Sequence, residues 1–246
     1  MVDVLDRAES SAPASLLAGE GVALLFEKPS LRSRHSSEMA VVHLGGHPVT
    51  VRADEIGAGV REPVADIARV LSGYHAAIAA RVFDHHDLDE LARASSVPVV
   101  NLLSDRAHPC QALADLLTMR QEWGALAGRT VTWVGDFNNA ARSLARGAAM
   151  CGMAVRVASP PGYGPTADDV ARLSVTGGHE PACFGDPVEA AAGADAVLTD
   201  VWASMGQEDE IDVRLRAFEG FTVDRSVMTA AAPDAVFLHC LPVHRG

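Results

Sequence analysis

The sequence has no apolar run of the roughly 18 to 20 residues that would carry a helix across a bilayer. Its first residues, Met1-Val2-Asp3-Val4-Leu5-Asp6-Arg7, lack the basic and apolar regions of a secretory signal. A soluble cytoplasmic protein with no membrane partner is expected. Cysteine is scarce: Cys110, Cys151, Cys183 and Cys240 include no Cys-x-x-Cys pair, so reduced thiols are expected. The ten histidines never combine with cysteine at the spacing of a structural zinc site, and no metal is expected. The pair His85-His86 reads as a solvated helix start. A long basic stripe with interleaved aromatics is missing too, and a formal charge of -12 repels a polyanion, which argues against nucleic acid. A small anionic ligand stays open, because a local cluster such as Lys28, Arg32 and Arg34 sets the field at a site whatever the global sum.

What the chain does have is length and apolar content. With 246 residues, 48% of them hydrophobic, it can build one large domain or two of ordinary size around a substantial core. Strand-like runs at 22–26, 48–51, 76–80 and 97–102 alternate with helical patterns at 33–44, 63–72, 88–94 and 109–123. A second cycle follows, with strands at 130–135, 153–159, 194–199 and 235–239 and a helix at 139–151. This alternation predicts an α/β protein of two doubly wound domains with parallel sheets. The boundary is expected near Gly124, giving domains 1–123 and 124–246, with no long linker and no repeat of solenoid period. Ligands of such sheets gather outside the carboxyl ends of the strands. The turn after Phe26, Arg81, His108, the loop after Gly135, Asp200 and His239-Cys240 are therefore candidate site positions, and an active site in an interdomain cleft is expected.

Each motif can first be read on its own residues. Lys28-Pro29-Ser30-Leu31-Arg32-Ser33-Arg34 leaves a strand and enters a helix, so free backbone N–H groups, the helix dipole and the Arg32 fork favour an anion. The alternative is a capped surface helix with incidental arginines. His108 and Gln111 lie three residues apart at a helix start and can face one ligand; the alternative is a His before Pro acting as a cap. Gly135-Asp136-Phe137-Asn138-Asn139 follows a strand but lacks the second and third glycines of a dinucleotide turn, so no nicotinamide cofactor is expected. Asp200 and Ser204 offer a carboxylate and a hydroxyl suited to an α-ammonium group, with Met205 and Gly206 exposing backbone in a turn, or else an acidic helix cap. Cys240 alone reads as buried-strand material.

The order and content of Ser30-Leu31-Arg32-Ser33-Arg34, His108-Pro109-Cys110-Gln111, Asp200-Val201-Trp202-Ala203-Ser204-Met205-Gly206 and His239-Cys240-Leu241-Pro242 resemble the ornithine carbamoyltransferase family. The resemblance implies transfer of the carbamoyl group of carbamoyl phosphate to the δ-amine of ornithine, giving citrulline and phosphate. It further implies a homotrimer in arginine biosynthesis, needing no metal and no organic cofactor. Residues 1–123 would bind carbamoyl phosphate and residues 124–246 ornithine. By the same resemblance Ser30, Leu31, Arg32 and Ser33 hold the phosphate, Arg81 and His108 polarise the carbonyl oxygen, and Gln111 holds the amide nitrogen. Asn139 meets the α-carboxylate of ornithine, Asp200, Ser204 and Met205 recognise its α-ammonium end, and Cys240 with the Leu241 carbonyl orients the δ-amine.

The chain departs from that family pattern in several places. Leu31 and Ser33 stand where the family has threonines, so weakened phosphate binding is expected. Phe137 replaces a glycine, and in Gly57-Ala58-Gly59-Val60-Arg61-Glu62 the arginine falls one place later than usual. The first helix of the family is expected to be shortened or absent, and its C-terminal return helix and an arginine that helps bind carbamoyl phosphate are expected to have no counterpart, so the chain reads as shortened at both ends. A catalytically silent homologue with a binding or assembly role is the alternative reading.

Overall fold

The computed structural model describes residues 15–52, 55, 62–175, 180–203 and 208–243. The chain divides into two compact units, one over Asp3–Cys110 and the other holding Gln111–Gly246.

The first unit alternates β1 (Gly21–Phe26), α1 (Leu31–His43), β2 (His47–Arg52), α2 (Val64–Ser72), β3 (Ala77–Arg81), α3 (His85–Ala94) and β4 (Val99–Leu103). Its strands form one parallel sheet in the order β2-β1-β3-β4. β1 is buried over Val22–Phe26, which explains its unbroken run of apolar residues: both faces of a central parallel strand are covered. Alternate side chains go to opposite layers. Val22, Leu24 and Phe26 pack with Val41 of α1, whereas Leu25 packs with Val64, Ile67 and Ala68 of α2 and Leu88 and Leu91 of α3.

Most of α4 (Pro109–Trp123) belongs to the second unit. There follow β5 (Thr130–Val134), α5 (Asn139–Met150), β6 (Ala154–Ala158), α6 (Ala167–Ser174), β7 (Ala182–Phe184), α7 (Pro187–Ala191) and β8 (Ala196–Thr199). A 3-10 turn (Glu208–Glu210), α8 (Ile211–Ala217), α9 (Arg225–Ala230) and β9 (Val236–His239) complete it. This sheet is also parallel, in the order β7-β6-β5-β8-β9. Val134, Ala158 and Val197 pack under α7 and α9 through Ala190, Ala191 and Val227. α4 and α5 approach closely at Gly147, where a Cβ would come 2.7 Å from Leu116 Cδ1.

The fold class expected from the sequence is present: α/β, with two parallel sheets. Element boundaries differ in instructive ways. α1 begins at Leu31 rather than Ser33, and α3 at His85 rather than Leu88, because the Asp84 side chain accepts from His86 N–H and starts the helix early. His85 is half-buried, with Nδ1 paired to Ser104 Oγ at 2.7 Å, so only His86 is a solvated helix-start residue. The sequence reading passed over β7, α6, α7, α8 and α9. The helices among these are eight residues or shorter, too short for apolar periodicity to show. Caps hold three of them: the Thr166–Asp169 capping box, Asp186 and Asp224.

Each sheet has one point where the strand order reverses direction, between β1 and β3 in the first and between β5 and β8 in the second. Crevices open at the carboxyl ends of such strand pairs. Those ends are Phe26 and Arg81 in one unit, and Val134 and Thr199 in the other. Among the described residues no helix is long and apolar enough to cross a membrane.

Leu24 lies fully buried in the centre of the first sheet. Leu24→Ala is expected to cost about 2–5 kcal/mol of unfolding free energy, read as a lowered urea midpoint with an unchanged slope.

Candidate active site

At the switch point of the first unit, Arg81 ends β3 and is only 8% exposed. Its Nη1 donates to Ser30 Oγ at 3.1 Å and to Ser33 Oγ at 3.2 Å. Ser30 is the N-cap of α1, yet its side chain makes no capping bond. Its hydroxyl serves Arg81 instead, so no Ser30 cap occupies the N–H groups of the first helical turn. Arg81 Nε is buried without a hydrogen-bond partner, and among the described residues no carboxylate pairs with the guanidinium. Burial pulls its pKa below the usual arginine value. A buried cation held, among the described residues, by neutral hydroxyls beside a helix N-terminus is suited to an anion.

The other cations of this region are engaged elsewhere or exposed. Arg34 pairs with Glu38 at 2.8 Å on the surface of α1, and Lys28 Nζ lies 3.8 Å from the centroid of the Phe83 ring. Arg32 and Leu31 are exposed, Leu31 to 70%, and neither belongs to the Arg81 cluster. His108 is half-buried just before α4. The structure thus gathers Ser30, Ser33 and Arg81, and leaves Arg32 outside that group.

The second unit places the opposite charge at its switch point. Asp200 follows β8, and its carboxylate is shared among three donors. Oδ1 accepts from the Cys240 thiol at 2.9 Å and from Val201 N–H at 2.8 Å, and Oδ2 accepts from Asn138 Nδ2 at 2.9 Å. Asn138 is also the N-cap of α5, its Oδ1 accepting from Ala140 and Ala141 N–H. The side chain joined to Asp200 is thus Asn138; its neighbour Asn139, expected at the α-carboxylate of ornithine, is the first residue of α5. Among the described residues Asp200 caps no helix, which removes the acidic-cap alternative there. His239 Nδ1 pairs with the Cys240 carbonyl oxygen, and Leu241, 54% exposed, precedes a cis peptide to Pro242.

A small, open concavity lies here, lined among others by Gln111, Asp115, Thr199, His239 and Cys240, and among the described residues no lysine or arginine lines it. Gln111 Nε2 donates to Asp115 Oδ1 at 2.9 Å. Burial pushes the Asp115 carboxyl up to about 6, the Gln111 hydrogen bond pulls it down, and the Asp200 charge adds to the rise. Burial and then the same Asp200 charge push the Cys240 thiol far above its ordinary value. Cys240 is therefore a protonated donor at neutral pH, not a thiolate nucleophile. Ligating atoms of Asp200, His239 and Cys240 lie within 4.8 Å of one another, a set able to hold a metal ion.

Ser204 and Met205, and the Gly57–Arg61 segment, lie outside the described residues. Two features escaped the sequence reading. Asp115 follows Gln111 by one helical turn, a spacing that the 109–123 pattern contained. Arg214 of α8, 6% exposed, donates to Asp136 Oδ2 at 2.8 Å, Glu210 Oε2 at 2.9 Å and the Trp202 carbonyl at 3.0 Å. It ties the segment after Asp200 to the loop after β5, and no local sequence signal announces contacts over such separations.

The class is thus an α/β protein whose two parallel sheets carry an anion-seeking group at one switch point and an acidic group at the other. The aspartate/ornithine carbamoyltransferase carbamoyl-P binding domain matches residues 3–121, and the Asp/Orn binding domain of the same family matches residues 127–246. An ornithine carbamoyltransferase of Thermus thermophilus is 53% identical over 94% of this chain and 74% of that protein. One of Acidothermus cellulolyticus is 51% identical over 99% and 80%. The solved structure of ornithine carbamoyltransferase from Pyrococcus furiosus superposes with a TM-score of 0.89 at 44% identity, covering 100% of this chain and 79% of that one. An N-acetyl-L-ornithine transcarbamylase K302R mutant complexed with PALAO reaches 0.84 at 28% identity, over 99% and 85%. The chain belongs to the aspartate/ornithine carbamoyltransferase family, and like those relatives it is a transferase.

The raised Asp115 pKa carries a stability signature. Between its unfolded value near 3.8 and its folded value of about 6 the native state binds the proton more tightly, so folding stability falls as pH rises through this window and levels off above it. Asp115→Asn removes that slope. Thermal melts should show the variant gaining stability on the parent protein at pH 7 relative to pH 4; parallel curves at both pH values would contradict the buried ionisation.

Proposed function

We propose that the protein moves the carbamoyl group of carbamoyl phosphate to the δ-amine of ornithine, giving citrulline and phosphate. The observation that carries this reading is Arg81: a buried guanidinium held by two serine hydroxyls, with no carboxylate against it and no partner for its Nε among the described residues. Carbamoyl phosphate supplies the missing anion. Ser30, Ser33, Arg32 and the Leu31 N–H take its phosphate, while Arg81 and His108 bear on the carbonyl oxygen and Gln111 on the amide nitrogen. In this division residues 1–123 serve carbamoyl phosphate and 124–246 serve ornithine, with Gln111 contributed from ahead of that boundary.

The chemistry asks for little beyond orientation and charge. The deprotonated δ-amine attacks the carbonyl carbon, a C–N bond forms, the C–O bond to phosphate breaks with its electron pair leaving on phosphate, and the amine gives its proton to the departing phosphate. Negative charge grows first on the carbonyl oxygen and then on the leaving group. Fixed donors aimed at such charge contribute about 3–4 kcal/mol each. On the ornithine side Asp200, with Ser204 and Met205, receives the α-ammonium group, and Asn139 the α-carboxylate. An ionised carboxylate has about four lone-pair sites, so Asp200 can keep its protein donors while accepting from the ligand. This carboxylate favours a free α-ammonium over an acylated amine, and hence ornithine over N-acetylornithine. Cys240, held protonated, orients the δ-amine together with the Leu241 carbonyl, and no covalent thiol intermediate is required. The same reading makes the protein a cytoplasmic homotrimer serving arginine biosynthesis, with no cofactor.

Three experiments test this activity. Purified protein given carbamoyl phosphate and ornithine should release citrulline, and should release none with N-acetylornithine. Arg81→Met should lower the rate by about a hundredfold or more. Phosphate binding without citrulline from either acceptor would instead favour a silent homologue. Leu31→Thr adds a hydroxyl at the mouth of the anion site and should tighten carbamoyl phosphate binding by about fivefold, the worth of one net hydrogen bond; unchanged calorimetric affinity would show that this position lies off the phosphate.

A further inference from the structure

The reading above gives Asp115 no part, yet its carboxyl occupies a defined place in the second unit. It lies one turn beyond Gln111 on α4, accepts from Gln111 Nε2 at 2.9 Å, and lines the same concavity as Thr199, His239 and Cys240. Asp200 bears on it electrostatically from the end of β8. Among the described residues no lysine or arginine lines this pocket to neutralise the carboxyl, so ion pairing does not account for its place there.

The chemistry of the pair supplies one. An ionised carboxylate has acceptors only, whereas a glutamine carboxamide has a donor end and an acceptor end. Facing Asp115, the Gln111 amide must turn its NH2 inward. The flipped orientation would set Oε1 against a negative oxygen, so the charge selects one of two otherwise similar rotamers. The end left for a ligand is Oε1, an acceptor. A carbamoyl group offers an NH2, which needs an acceptor to hold it. We propose that Asp115 is a positioning residue for the carbamoyl donor: through its hydrogen bond to Gln111 it fixes the carboxamide with Oε1 available to the carbamoyl N–H groups. This rests on the transferase reading, and it adds a residue that acts on the substrate only through another.

The role predicts non-additivity, which a purely structural contribution to packing would not produce. Asp115→Leu removes the tether, and Asp115→Asn keeps a hydrogen bond but loses the charge that selects the rotamer. Citrulline formation should fall by a few-fold in D115N and by about tenfold or more in D115L, with the KM for ornithine held within about twofold. In a Gln111→Ala background the further change from either substitution should be less than about twofold, because the group being positioned is gone. Melting curves confirm that the variants fold. Multiplicative losses in the double variants, or a folded D115L with the parental turnover, overturn the proposal while leaving the transferase reading in place. No citrulline from the parent protein would reject the transferase reading itself. The tether is then read without activity: in 15N-labelled protein the Gln111 side-chain amide resonances should shift and exchange faster with water in D115L, and resonances unchanged by the substitution overturn the pairing.

Discussion

A guanidinium removed from water, with no carboxylate beside it among the described residues, is the constraint around which the first unit is arranged. Arg81 ends a central strand, where burial is imposed by the sheet and its covering helices, and a charge there costs several kcal/mol unless something compensates it. Two serine hydroxyls at the entry to α1 provide part of the compensation. To do so Ser30 gives up the capping bond that its position at a helix N-terminus would favour. The local preference yields to the distant arginine, and the result is a helix start with spare N–H groups next to a cation. Disagreement between local and tertiary demands of this kind is concentrated at functional sites.

The second unit reaches the opposite polarity by equally simple means. Asp200 stands where β8 ends, so backbone geometry frees the Val201 N–H for its carboxylate, and the parallel neighbour β9 delivers Cys240 to the same oxygen. The N-cap of α5 delivers Asn138 to the other oxygen. One side chain thereby links the ends of β8 and β9 with the start of α5. The thiol is kept protonated by burial and by that carboxylate, so its place in the cluster is that of a donor. The net charge of -12 foretells neither polarity: each site sets its own field through a handful of groups.

Much of this was legible in the sequence because the physical causes are local. Val22–Phe26 reads as a strand for the reason it is buried on both faces, and the Pro109–Trp123 helix was placed to the residue by its proline and its apolar spacing. Strand ends could be located, and with them the positions of Arg81, Asp200 and Cys240. What escaped depends on contacts across long separations or on cap chemistry. Nothing near Arg214 marks Asp136 as its partner, and nothing near Ser30 says that its hydroxyl will turn away from its own helix. Asn138 and Asn139 are indistinguishable in sequence, and only the cap geometry decides which one faces Asp200. The short helices α7 and α9 owe their starts to single aspartates, a signal present in the sequence but masked by the many other acids of this chain.

The departures of this chain from its family's pattern can be weighed on the same physical scale. Leu31 replaces a threonine, but its side chain is exposed and stands apart from the hydroxyl pair that holds Arg81. That pair comes from Ser30 and Ser33, both present. A chain with no anion to bind would gain stability by exchanging a buried, only partly compensated arginine for an apolar residue, since that removes the remaining desolvation cost of the charge. The sequence instead keeps the costly group and the two neutral partners that leave its Nε open. An anion beside Arg81 would offset the desolvation cost that the two hydroxyls leave uncovered. That asymmetry between the free and bound states favours an anion-binding role over a purely structural one for this part of the fold.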